Sequence, residues 1–247
     1  MLKKTIVFTG IFWWLLMMAV IIVNAQTKLG TVVIHFSHTA NQQPLQFNDS
    51  VYANDFGERY TISKLKYYVG AFKLDEKNLS LGFDKYVLVD ANQTENKIIA
   101  QLPEGNYHSI QFKLGVDSTD NCSGAQTGAL DPLNSMFWTW NSGYIFLKLE
   151  GNSSASTAPD GRIEHHIGGY KDSMNVASTI RLADNIAIEA GKAKDIYISF
   201  NLDRYWNAAS KIKINETPVC MSPGFLAKTI AANFNAIFSI GSKTITY

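Results

Sequence analysis

Two cysteines, Cys122 and Cys220, five histidines and two tryptophans spaced two apart, Trp138 and Trp140, are the side chains in this chain best suited to metal or redox chemistry. Two cysteines are too few for a zinc site built from cysteine pairs. A bridge between them would close a loop of about 100 residues and stabilise the fold by about 4 to 5 kcal/mol in the chain-entropy model. Two separate thiols, one in a polar loop and one near a proline, are the alternative. Of the histidines, His165 and His166 are adjacent, so an extended backbone sends them to opposite faces and one site cannot use both. His38 follows Ile34 and Phe36 on one face of a strand and reaches inward at the strand end. His35 points the other way. His108 alternates in phase with Ile110, Phe112 and Leu114 and reads as a core histidine. An intact indole has an N–H to donate and no nitrogen lone pair for a metal, so Trp138 and Trp140 read first as core packing. Their second reading is a stacking platform, shared with Tyr144, for a sugar or another apolar partner. Asp117, Asp120 and Asp131 have no EF-hand spacing and read as turn residues. The chain has no Gly-Xaa-Ser-Xaa-Gly elbow, no His-Glu-Xaa-Xaa-His helix and no phosphate loop, so the expectation is a binding protein, not an enzyme.

The elements that must position these groups are strands. Tyr107 to Leu114 alternates with a period of two, and β-rich runs recur at 30–36, 62–74, 85–89, 144–149, 178–182, 185–189 and 195–202, separated by Gly, Pro, Asn, Asp and Ser. This pattern predicts an all-β fold, a mostly antiparallel β-sandwich with a few short helical segments. Near the end, Leu226, Ile230, Phe234, Ile237 and Phe238 recur at helical spacing after Ser222-Pro223-Gly224. Residues 115–132 form a long polar connection, and loops of that length inside a domain usually carry function. It runs directly into the segment with Trp138 and Trp140. Residues 151–161 are of low complexity and read as a surface loop.

Lys3 and Lys4, an apolar run to Val23 and Val23-Asn24-Ala25 before Gln26 have the layout of an export signal over residues 1–25. The run approaches the roughly 20 residues that span a bilayer, so a retained anchor is the alternative to cleavage. No cysteine follows the cleavage point, so a lipoprotein anchor has no support. Residues 26–247 then form one domain, since no linker divides them. The full chain of 247 residues has 46% hydrophobic and 17% charged residues, a folded composition. Its formal charge of +1 loses only Lys3 and Lys4 with the leader, and no basic footprint for nucleic acid remains.

Gly115-Val116-Asp117, Asp131-Pro132, Phe137-Trp138-Thr139-Trp140, Gly143-Tyr144, Lys148, Glu150-Gly151 and His166-Ile167-Gly168-Gly169 follow one another in an order that resembles the MbnP-like copper-binding proteins, particularly their Bacteroidetes branch. Lys64 to Val69 extends the likeness. The resemblance implies a periplasmic or secreted β-rich domain that holds copper through histidines and, in some members, a tryptophan oxidised to kynurenine. It also implies a di-haem peroxidase-like partner of the MbnH type, which performs that oxidation. Opening the indole creates an aryl amine able to ligate, and a nitrogen-rich site suits Cu2+. By this resemblance His166 is the leading metal ligand and Trp138 or Trp140, of which Trp140 is preferred, the oxidised residue; His38, from its place at the inward end of the first strand, is a further candidate ligand. An Asn-His is expected where this chain has Asn121-Cys122. Cys122 then either replaces that ligand or is tied to Cys220. If copper binding persists, His166→Ala should cost far more affinity than loss of His165, expected to be a surface neighbour.

Overall fold

The computed structural model describes residues 27–79, 85–93, 96–139 and 142–241. The expected export signal of residues 1–25 and Trp140 lie outside them. Two sheets pack face to face. The smaller is built on β1 (Leu29–Ala40), which pairs antiparallel with β4 (Lys97–Pro103) and parallel with β11 (Ala193–Asn201), which in turn pairs with β13 (Phe238–Ile240). The larger runs β10 (Ser178–Ile188), β5 (Gly105–Leu114), β2 (Arg59–Leu74), β8 (Leu147–Ser153), β9 (Arg162–Ile167) and β12 (Val219–Cys220), with β3 (Tyr86–Asp90) also on β2. Most pairings are antiparallel, and β1 with β11 and β9 with β12 are the parallel ones. The expected sandwich is therefore present.

Alternation explains the interior. Val32, Ile34 and Phe36 of β1 point inward, and Phe36 meets Tyr67 of β2 and Phe112 of β5 edge to face. Tyr67 also stacks on Phe200 of β11, with ring centroids 5.4 Å apart. Edge-to-face and offset rings at such spacings add cohesion beyond the area that they bury. His38 reaches this interior as expected, with its Nε2 3.0 Å from the Tyr67 hydroxyl and its ring against Phe200.

Simple alternation fails where strands bulge. Ala71 (φ 50°) sits at a register shift between Gly70 and Lys73 of β2, and β10 shifts between Ala183 and Ile186, which joins two sequence runs into one strand. A bulge resets which residues face inward. Opposite that shift, Tyr107, Ser109 and Ile110 are all buried while His108 is exposed, its Nδ1 3.4 Å from Asn185 Oδ1. The core-histidine expectation for His108 is thus overturned by a phase change midway along β5. The terminal helical pattern appears as two helices, Phe225–Ala231 and Phe234–Ile237, which bury Ala227, Ile230, Phe234 and Ile237. The two cysteines are separate free thiols, Cys122 exposed and Cys220 buried. Among the described residues, no helix is long and apolar enough to cross a membrane.

Candidate functional site on the outer face of the large sheet

Strand β9 sends Ile163, His165 and Ile167 to the inner side and Glu164 and His166 to the outer one, where His166 is also buried, at 7% exposure. The adjacent histidines do face opposite ways, but His165 is the inward one. Its Nδ1 lies 2.8 Å from the Tyr205 hydroxyl and its Nε2 2.6 Å from the Thr217 carbonyl, so both nitrogens are engaged. Burial pushes the His165 imidazole down to about 4, opposed by the Thr217 contact. The expectation of a surface neighbour fails for His165 because the interior, and not solvent, lies on its side of the strand.

His166 stands in a row that crosses four strands. It pairs with Lys148 of β8, Lys148 with Lys66 of β2, and Lys66 with Asp90 of β3. Its Nε2 is 2.8 Å from Glu150 Oε1, and Glu150 Oε2 accepts from Lys64 Nζ at 2.8 Å. These bonds hold the Glu150 carboxyl down to about 2, the His166 contact contributing most against the opposing cost of burial. When a neutral imidazole donates one N–H to a carboxylate, its other nitrogen keeps a lone pair. For His166 that nitrogen is Nδ1, which makes no hydrogen bond among the described residues.

The connection 115–145 folds over this face. Asn121 closes the helix Ser118–Asn121; its Nδ2 donates to the Val116 and Asp117 carbonyls and its Oδ1 accepts from the Tyr144 amide at 2.9 Å. Gly143 (φ +73°) must be glycine, because a Cβ there would lie 2.2 Å from Asn121 Oδ1. The Tyr144 hydroxyl donates to the Leu130 carbonyl at 2.8 Å, and its ring packs on Phe137 and Tyr68. Tyr144 is fully buried and so is no part of an open stacking platform. Asp117 and Asp120 are paired with Lys85 and bonded to the Tyr86 hydroxyl, and Asp117 also pairs with Lys113. These acids fasten the connection to the sheet, and Asp131 caps the next turn through the Leu133 amide.

Strand β6 (Phe137–Thr139), which carries Trp138, pairs with β7 (Gly143–Tyr144). A Cβ on Gly168 would lie 2.9 Å from Trp138 Cζ3 and 3.2 Å from Cη2, so the indole rests on that glycine. Gly168 follows the end of β9, two residues beyond His166, so the indole lies against the chain just past the strand that carries His166. The Trp138 Nε1 is buried with no partner among the described residues. An unpaired buried N–H costs about 1 to 3 kcal/mol, and Tyr60, Tyr68 and Trp206 carry buried polar atoms of the same kind. The structure thus seats Trp138 just past the end of the strand that carries His166. It does not bring His38 there, since that ring lies between the sheets. Cys122 is exposed one residue beyond Asn121. Among the described residues no three His, Cys, Asp or Glu side chains form a ready metal cage.

The sequence profile of the MbnP family matches residues 29–222. The chain belongs to the MbnP family. The fold agrees: the solved structure of MbnP from Methylosinus trichosporium superposes with a TM-score of 0.56 at 15% identity, over 88% of this chain and 100% of that one. No curated protein matches. The matched range spans every element of the outer-face site, from Lys64 to Gly168. Glu150 and Lys148 were part of the motif, but the sequence did not show that they partner His166. Their i, i+2 spacing on a strand was the available signal.

Proposed function

We propose that this member of the MbnP family is an exported copper-binding protein and not an enzyme. In this reading His166 holds the ion through Nδ1, and a tryptophan of the 138–140 segment, oxidised by a di-haem partner, adds a second nitrogen. One observation carries it: the Glu150–His166 contact, in which a carboxylate orients the imidazole and raises its basicity, the usual arrangement behind a metal-bound histidine. A nitrogen-rich donor set suits Cu2+ among first-row divalent ions. Trp138 fits the second role because its indole nitrogen is buried and unpaired among the described residues and its ring rests on Gly168, two residues from His166. His38 is left to the core. Cys122 is not required, and its exposure leaves it free to react with other thiols.

Metal analysis and intact mass of protein from its native host test this reading. Copper near one equivalent, with a kynurenine mass shift in the peptide spanning Met136 to Tyr144, is the expected result. His166→Ala should lose most of the copper, whereas loss of the exposed His108 should leave it unchanged. Equal copper in the wild type and His166→Ala, with both tryptophans unmodified, would overturn the proposal.

A further inference from the structure

Lys148 is an unusual residue to find at this site. It lies in the middle of the large sheet with 6% of its surface exposed, between His166 on one side and Lys66 on the other. A buried ammonium needs strong partners. The acid on its own strand, Glu150, is 3.8 Å away and already receives Lys64 and His166. Its close contact is instead with the overlying connection, where Nζ donates to the Ser135 carbonyl at 2.5 Å. Burial lowers the ammonium below the ordinary lysine range, opposed by the charge of Glu150.

Ser135 is the point where the connection changes direction. It ends the turn Pro132–Asn134 in the left-handed region (φ 59°, ψ 32°), and the next residue, Met136, is fully buried and accepts from the Ile145 amide. Trp138 follows three residues after Ser135. Besides the Lys148 bond, this stretch is held by the Asn134 side chain on the Gly128 and Ala129 carbonyls, the Met136 bond, the short β6–β7 ladder, the Phe137–Tyr144 ring contact and the seat of the indole on Gly168. The turn before it is exposed, with Leu133 at 90%.

We infer that Lys148 is a positioning residue: it clamps the Ser135 carbonyl to the sheet and so holds Trp138 over Gly168. An ammonium committed to a carbonyl acts as a donor and not as a ligand. Only the consequence for copper rests on the function proposed above. The clamp itself is a property of the unmodified, metal-free chain.

The experiment compares wild type, Lys148→Met, Lys148→Gln and Lys148→Arg in the full metal-free protein. Methionine matches the stem without a donor, glutamine keeps polarity but is too short to reach, and arginine restores a long donor. Amide exchange in the peptide covering residues 131–139 should speed up by about ten-fold in the Met and Gln variants, the effect expected when a charge-assisted bond is lost from a locally opening segment. Exchange in β5 and β10 should be unchanged. Hydroxyl-radical footprinting should show greater oxidation of Trp138 in the same two variants, with the arginine variant close to wild type. A purely structural role would change exchange throughout the sheet and would not be rescued selectively by arginine. Unchanged exchange and footprint at 131–139 in a folded Met or Gln variant would overturn the inference. Because no copper is used, a positive result stands even if His166→Ala shows that copper binding fails.

Discussion

On the inner face of β9, His165 uses both ring nitrogens within the protein, whereas on the outer face His166 uses one and keeps the other free. The two are consecutive in the chain and have the same chemistry. Their surroundings differ in kind: His165 lies among Tyr205, Trp206 and the core, and His166 in a row of lysines and acids beneath a folded connection. A closed imidazole serves packing, and an open one oriented by a carboxylate is ready for a ligand. What separates the two positions is the state of the second nitrogen, not the presence of histidine.

Acid should break the two faces in separate steps. His38 and His165 are both pushed down to about 4 by burial, and in the unfolded chain they titrate near 6.5. The unfolded state then binds more protons, so their contribution is complete above pH 6.5 and is lost as pH falls toward 4, at up to about 1.4 kcal/mol per pH unit for each histidine. Glu150, held down to about 2 against an ordinary 4.5, adds a further loss only below pH 4.5. Urea midpoints between pH 8 and 3.5 should fall first across the histidine window. A flat profile from 6.5 to 5 would show that the inner histidines are not held neutral.

Removing one histidine at a time gives the next largest contrast. His165→Ala leaves a cavity and an unpaired Tyr205 hydroxyl and should cost about 3 kcal/mol, while His166→Ala should cost about 1 kcal/mol or less because Glu150 keeps Lys64. Denaturant unfolding of the two metal-free variants tests this, and equal losses would erase the distinction. Gly168→Ala sharpens the outer face. The added Cβ would lie 2.5 Å from the Tyr144 carbonyl and 2.9 Å from Trp138, so a loss of about 1 to 3 kcal/mol with altered indole emission is expected. Intact stability and emission would mean that the indole does not rest there. The smallest effect concerns Cys122→Ser. With no bridge to Cys220 its stability change should stay within about 0.5 kcal/mol, and in the folded wild type a thiol reagent should label the exposed Cys122 far faster than Cys220. Burial pushes the Cys220 thiol up to about 11, which slows it further. A linked pair in a non-reducing peptide map would contradict the free thiols.

Period-two alternation, turn residues between runs and the helical spacing after Pro223 are local signals, and they determined the all-β class, most strand positions and the terminal helices. They also determined that His165 and His166 face opposite ways and that His38 points inward. The ordered motif from Gly115 to Gly169 carried the family. Strands Lys97–Pro103 and Arg162–Ile167 were missed, the second because its buried histidine and flanking charges give no apolar alternation. Which side of β9 is the interior depends on what packs against it. His108 reversed because a bulge in the partner strand changed the phase, and a bulge depends on pairing across the sheet, not on the residues of one strand. The row His166, Lys148, Lys66 and Asp90 unites residues from four strands up to 100 positions apart, and cross-strand register alone makes them neighbours. The Glu150 bond that leaves one His166 nitrogen open, and the seat of Trp138 on Gly168, were likewise decided only by tertiary structure, because each needs two separated segments to meet at contact distance.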